Sequence, residues 1–297
     1  MFTLSSQRVF DEKHYDDLNS SRAAVVTAFL CEVREPLGLR AAIDVGCGLG
    51  YFCGVLRSLG LDVTGVEGRS ENAEEAKRRN PGIIFHTLSV EDPRVCGLGS
   101  YDLVFCFGLL YHLENPFLAI RHLHAMTRRL LLVEAVVFPG EAPVLGLVDE
   151  SYHEDQGLNY VALYPTEACL VRMLYRTGFS FVYRFSPLPS HPGYRVRGGL
   201  PRVRTMLAAS FEPLASSALE GVREHAVEME PSNSVSVAAN MHRWGLSRGL
   251  RQWLAAQRIR FLGAPASSFK QDVLELTFDL RNRLGLRRSV RRKPAGD

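Results

Sequence analysis

Ala41-Ala-Ile-Asp-Val-Gly-Cys-Gly-Leu-Gly-Tyr-Phe52 carries a short apolar run straight into three glycines, at 46, 48 and 50, and then into a helical pattern. An apolar run of five residues bounded by a turn reads as a strand buried on both faces. Beyond the turn, Phe52, Val55, Leu56 and Leu59 recur at helical spacing and stop at Gly60. Strand, glycine turn and helix make the first half of a βαβ unit. Glycines there let the backbone pass close to a ligand, and the helix behind them directs free N–H groups toward it.

Outward from this stretch the rhythm repeats. Residues 63–66 and 83–88 are further short apolar strands, separated by a polar, helix-favouring segment over 71–80 that ends at Pro81. A fourth strand follows at 101–107, a helix entered through Asn115 and Pro116, and a fifth strand at 130–137. Thr166 is placed to cap a helix that runs to Gly178. Strand-like runs at 179–185 and 203–210 predict a closing antiparallel hairpin with a proline-rich connection. The expected fold is therefore α/β: a Rossmann-like, seven-stranded, mostly parallel sheet with helices on both faces. Residues 1–210 would form this domain. Residues 211–297 would form a helical extension with helices over 214–230 and 246–262.

Composition agrees with a globular chain: 297 residues, 46% hydrophobic and 23% charged, exclude disorder as the main state. No apolar run is long enough to span a bilayer and no export signal opens the chain, so a cytoplasmic protein is expected. The six cysteines stand singly, without zinc-binding spacing, and read as reduced small hydrophobes. The net charge of +3 is unevenly spread. Seven basic residues from Arg281 to Lys293 are opposed there only by Asp297, while the rest of the chain is slightly acidic. That distribution does not favour a nucleic-acid partner for the body.

An acidic residue strengthens the ligand-binding reading. Glu67 closes the second strand about twenty residues after the glycines, where a carboxylate accepts both ribose hydroxyls of an adenosine. A dinucleotide loop wants a glycine at position 51, which is Tyr51, so the pyrophosphate reading and an oxidoreductase lose ground. The order Asp44-Val-Gly-Cys-Gly-Leu-Gly50 resembles the first motif of class I S-adenosylmethionine-dependent methyltransferases. Val66-Glu-Gly68 is similar to that superfamily's ribose-binding motif. Ser89-Val-Glu-Asp92 is similar to its adenine-binding turn, with Ser89 in place of the usual aspartate and Glu91 or backbone left to meet the base. Tyr101 to Pro116 resembles its fourth-strand motif, with Phe107 and Gly108 beside the sulfonium. The Leu-Tyr-His-Leu-Glu-Asn-Pro ending is similar to small-molecule O-methyltransferases and to the branch that carboxymethylates wobble uridine in tRNA. In that branch a Met-Arg-Asn stretch supplies an arginine for a carboxylated cofactor; here the stretch reads Gly157-Leu-Asn159, which points to ordinary S-adenosyl-L-methionine.

The resemblance implies a cofactor site of Asp44, Gly46, Cys47, Gly48, Gly50, Glu67, Gly68, Ser89, Val90, Glu91 and Phe107. Methyl transfer requires alignment and exclusion of water, plus a base when the nucleophile carries a tightly held proton. His112 and Glu134 are the candidates for that base, Glu134 because a carboxylate inside an apolar strand is costly unless it has work to do. The expected acceptor is a small molecule offering oxygen or nitrogen, met by the N-terminal segment, residues 138–164 and residues 187–201. No metal is implied. The rival readings are an RNA- or tRNA-modifying methyl- or carboxymethyltransferase, gripping phosphate with the tail and Arg195, Arg197, Arg202 and Arg204, and a non-catalytic cofactor-binding regulatory module.

Overall fold

A computed structural model describes residues 8–151, 153–195 and 203–223. The chain opens with helix α1 (Lys13–Val33), then β1 (Ala41–Val45), α2 (Tyr51–Ser58), β2 (Asp62–Glu67), α3 (Ser70–Arg79), β3 (Ile84–Thr87) and β4 (Tyr101–Phe107). There follow α4 (Pro116–Met126), β5 (Thr127–Val137), a hairpin of β6 (Leu145–Asp149) and β7 (Val161–Pro165), then α5 (Glu167–Thr177), β8 (Phe181–Phe185), β9 (Val203–Ser210) and β10 (Leu219–Gly221). The main sheet runs β10-β8-β9-β5-β4-β1-β2-β3. β1 to β5 are mutually parallel, and β9 enters antiparallel to both β5 and β8.

Strand alternation sorts the core into two layers. Ile43, Val45, Val104, Cys106, Leu131 and Val133 face α4 and α5, whereas Ala42, Leu103, Phe105, Leu130 and Leu132 face α1 and α2. Phe29 of α1 and Phe185 of β8 meet edge to face with ring centroids 5.0 Å apart. The expected caps are present: the Thr166 hydroxyl accepts from the Cys169 amide at 3.2 Å, and Gly178 closes α5 with φ +119°. All six cysteines are free.

Three features depart from the sequence reading. The sheet has eight strands, because Leu219–Gly221 pairs antiparallel with β8. The expected helix over 214–230 is absent in its described part. Tyr183 Oη accepts from the Leu214 amide at 2.9 Å and Ser216 Oγ from the Ala218 amide at 3.2 Å, so side chains take the amides that a helix would need. The rest of that helix, and the one over 246–262, lie outside the described residues. Finally, the long connection over 138–164 contains the β6–β7 hairpin, a separate two-stranded sheet. Among the described residues no helix is long and apolar enough to cross a membrane.

Candidate functional site

The glycine turn is stitched to the end of β2. The amides of Gly46 and Cys47 both donate to the Val66 carbonyl, at 2.8 and 3.0 Å, and the Gly48 amide donates to Glu67 Oε2 at 2.9 Å. Gly46 and Gly48 hold φ of +75° and +53°, a conformation that side chains resist. At Gly46 a Cβ would also stand 2.7 Å from Leu109 Cδ2. Glu67 Oε1 accepts from the Arg69 amide at 2.9 Å. Each carboxylate oxygen of Glu67 thus spends one lone pair on backbone and keeps another. Burial pushes this carboxyl up from its ordinary range, while the amides of Arg69 and Gly48 pull it back. Asp44, below the turn, is buried and pushed up to about 7 by desolvation, with Cys53 Sγ at 3.4 Å its hydrogen-bond partner.

The turn forms one wall of a cavity of about 360 Å³ at the carboxyl ends of β1, β2 and β4. The crevice lies where the chain winds in opposite directions on either side of β1, the usual ligand position in open α/β sheets. Asp44, Gly46, Cys47, Gly48, Gly50, Glu67, Gly68, Ser89, Val90, Glu91, Phe107 and His112 all line it. Ser89 Oγ accepts from the Glu91 amide at 3.2 Å, shaping the turn after β3, and Glu91 Oε1 accepts from the Asn115 amide at 2.7 Å. Phe107 stacks on Phe105 with centroids 4.0 Å apart. Asn72 of α3 also lines the cavity and is buried, and its Oδ1 has no hydrogen-bond partner in the structure. A buried orphan acceptor in a cavity wall calls for a donor on whatever fills the cavity.

The N-terminal segment from Arg8 and residues 153–158 close the mouth. Arg8 pairs with Glu154 at 2.9 Å, Tyr15 Oη donates to Asp155 at 2.5 Å, and Arg79 reaches Asp11 at 2.6 and 2.8 Å. Arg69 Nη2 donates to the carbonyls of Gln156 and Gly157 at 3.1 and 3.0 Å. Leu158 packs so tightly over Gly68 that a Cβ there would sit 2.8 Å from Leu158 Cδ1. Three acidic residues of this loop are thus engaged: Glu154 by Arg8, Asp155 by Tyr15 and Glu150 by His112.

The two candidate bases have opposite surroundings. His112 lines the cavity, and its Nδ1 lies 2.5 Å from Glu150 Oε1, whose other oxygen accepts from the Gly157 amide at 2.7 Å. Glu134, by contrast, is fully buried and is not among the cavity-lining residues. Arg22 Nη2 donates to it at 2.8 Å, Arg204 Nη1 at 3.0 Å and Tyr194 Oη at 3.1 Å. Burial alone would raise the Glu134 carboxyl, but the two guanidinium groups outweigh it and hold it below the usual range. It is a locked counter-ion rather than a free base. Its partners come from α1, β9 and the stretch before β9, and sequence reasoning missed Arg22, Tyr194, Glu150 and Asn72 as site residues. Arg22, beside the apolar run of α1 over 23–29, was the one that a polar residue at the edge of an apolar stretch could have signalled.

Comparison with known proteins agrees with this geometry. A methyltransferase domain family matches residues 26–157. A tRNA U34 carboxymethyltransferase from Tolumonas auensis is 26% identical over 160 residues, 50% of this chain and 47% of that protein. A ubiquinone biosynthesis O-methyltransferase from Albidiferax ferrireducens is 30% identical over 91 residues, 29% of this chain and 36% of that protein. The chain thus spans about half the length, or less, of the curated relatives it matches. Among solved structures, the N-terminal domain of EvdMO1 with SAH bound superposes with a TM-score of 0.53 at 19% identity, covering 65% of this chain and 80% of that one. At that identity the likeness is one of fold.

Proposed function

The chain carries a class I S-adenosylmethionine-dependent methyltransferase domain, and from that premise we propose that it methylates a hydroxyl of a small-molecule acceptor with His112 as the base. The carrying observation is convergence: every residue expected to hold the cofactor lines one cavity, together with His112. The residues present fit the group. Glu67 has a free lone pair on each oxygen for the ribose hydroxyls, the backbone turn at Gly46 and Gly48 leaves room for close approach, and Asn72 Oδ1 awaits a donor. Ser89, Val90 and Glu91 would border the adenine.

When bound, the cofactor supplies an electrophilic methyl on a sulfonium, so the protein's task is mainly positioning and exclusion of water. Phe107 and Leu109 provide an apolar wall, and the strap of residues 154–158 shields the mouth. His112 has Nδ1 committed to Glu150, which leaves Nε2 as the ring nitrogen able to take the acceptor's proton. Glu150 would fix the tautomer and balance the imidazolium that forms. Glu134 would act only through the arginines it holds. Calorimetry with S-adenosylhomocysteine on the full chain tests the cofactor half: a single saturable site is expected, weakened at least about tenfold in Glu67→Ala, roughly the loss of one charge-assisted hydrogen bond. No binding heat would end the proposal.

A second reading, tRNA modification, is favoured by the names of the curated relatives. Against it, Arg204 Nη1 is held by Glu134, and by the resemblance drawn from the sequence Leu158 stands where that branch has its arginine. Arg195 is exposed, and Arg197, Arg202 and the basic tail lie outside the described residues. Binding of tRNA that falls steeply with salt would favour this reading.

A further inference from the structure

We infer that Leu158 of the strap covers one face of the cofactor's purine, a contact that the strand holding the ribose does not itself supply. The inference rests on the methyltransferase reading and adds a residue that sets cofactor affinity. It begins with Gly68, which follows Glu67. Unlike Gly46 and Gly48, Gly68 does not hold a positive φ, so its backbone would accept a side chain. The space for one is already taken. The three atoms nearest to a Cβ at 68 are Leu158 Cδ1 at 2.8 Å, Cγ at 3.6 Å and Cδ2 at 3.8 Å. The side chain that the end of β2 lacks is thus replaced by one from the strap.

Position gives that side chain its ligand. With the ribose on Glu67 and the base bordered by Ser89, Val90 and Glu91, the purine spans the gap between the end of β2 and the turn after β3. Gly68 and Leu158 line the cavity there along with that turn. Leu158 is nonetheless 43% exposed, one of few large apolar side chains left so open among the described residues. Apolar surface facing a water-filled cavity gains from being covered. A purine offers a polar edge and two faces on which flat apolar contact is made. The turn after β3 meets the edge, and Leu158 meets a face.

The strap holds this leucine in place with bonds made by its backbone. Arg69 Nη2 donates to the carbonyls of Gln156 and Gly157, and Asn72 Nδ2 donates to the Glu154 carbonyl at 3.4 Å. The Gly157 amide donates to Glu150 Oε2, whose carboxylate reaches His112 through its other oxygen. Two consecutive residues therefore serve the two ends of the site. Gly157 holds the carboxylate that orients the imidazole, and Leu158 covers the purine.

The test uses the full chain with labelled leucine methyl groups, titrated with S-adenosylhomocysteine and read by NMR. The Leu158 resonances, identified by their loss in Leu158→Ala or Leu158→Met, should move upfield at saturation, as methyl groups over the face of an aromatic ring do. Calorimetry should show Leu158→Ala binding S-adenosylhomocysteine at least about fivefold more weakly, slightly more than the worth of one buried methylene. Leu158→Met, which conserves volume, should stay within about twofold of the unaltered protein. A downfield shift or none overturns the inference even if affinity falls, because the leucine would then only brace the strap. Unchanged affinity in Leu158→Ala overturns it too, as does Leu158→Met binding no better than Leu158→Ala. If Leu158→Ala does not fold, the shift in the unaltered protein decides alone. Absence of any S-adenosylhomocysteine binding by the unaltered chain would end the methyltransferase reading itself, whereas the other failures leave that reading standing.

Discussion

His112 and Glu150 are joined by a 2.5 Å contact between Nδ1 and Oε1, although 38 residues separate them in the chain. The pair places an orienting carboxylate behind an imidazole that lines the cavity. Removing the carboxylate's charge while keeping its shape isolates this relationship. Glu150→Gln should lower kcat by about 10- to 100-fold, the scale of a general base made less effective, with the KM of the acceptor changed little. Glu150→Asp should recover part of the loss. A change confined to KM would make Glu150 a wall of the pocket and nothing more.

His112→Ala should lower turnover by about 10²-fold or more, the usual worth of a positioned base, while leaving S-adenosylhomocysteine affinity near that of the unaltered protein. A loss below about threefold, in steady-state assays with any accepted substrate, would remove the imidazole from the chemistry.

Glu134→Ala leaves Arg22 and Arg204 buried without their counter-ion. Breaking a buried pair in this way costs about 3–5 kcal/mol, read as a lowered midpoint in urea. The pH dependence has a definite sign. The carboxyl is held below its ordinary range in the folded protein. Its stabilisation is therefore complete above the normal glutamate range and is lost as acid titrates through the lowered value. The variant should lack this component.

Asp44 acts in the opposite direction. Its carboxyl is pushed up from 3.8 to about 7 by burial, so between about pH 4 and 7 the folded chain holds a proton that the unfolded chain has released. Stability contributed at this residue should fall as pH rises through that window, by up to about 1.4 kcal/mol per unit. Thermal melts of Asp44→Asn compared with the unaltered protein at pH 5 and pH 7 should show the variant gaining relative stability at the higher pH. A constant difference would mean that Asp44 is ionised throughout.

Gly157→Ala should loosen the strap over the cavity. A Cβ at 157 would collide with the His112 carbonyl and stand 2.8 Å from Glu150 Oε2. The expected result is weaker S-adenosylhomocysteine binding, measured by calorimetry, together with lower turnover; unchanged values for both would show that the loop accommodates the methyl.

The amino-acid order by itself determined the strands β1 to β5, β8 and β9, the glycine turn and the place of Glu67. Those features are written in local signals: apolar runs of strand length, a helical period, glycines where φ is positive, and a carboxylate one strand further on. It also marked Glu134 as anomalous, since a charge in an apolar strand is visible without coordinates. What Glu134 touches was settled only in three dimensions. Arg22 lies 112 residues before it and Arg204 lies 70 after it, and both reach it because α1 packs on the sheet and β9 runs antiparallel beside β5. The same holds for His112 and Glu150, and for the short strand at Leu219–Gly221, whose helical expectation gave way to pairing with β8. Periodicity records which face of an element is buried. It carries no record of which distant charge will meet it there, because that is fixed by strand order and register, set by the packing of the whole sheet.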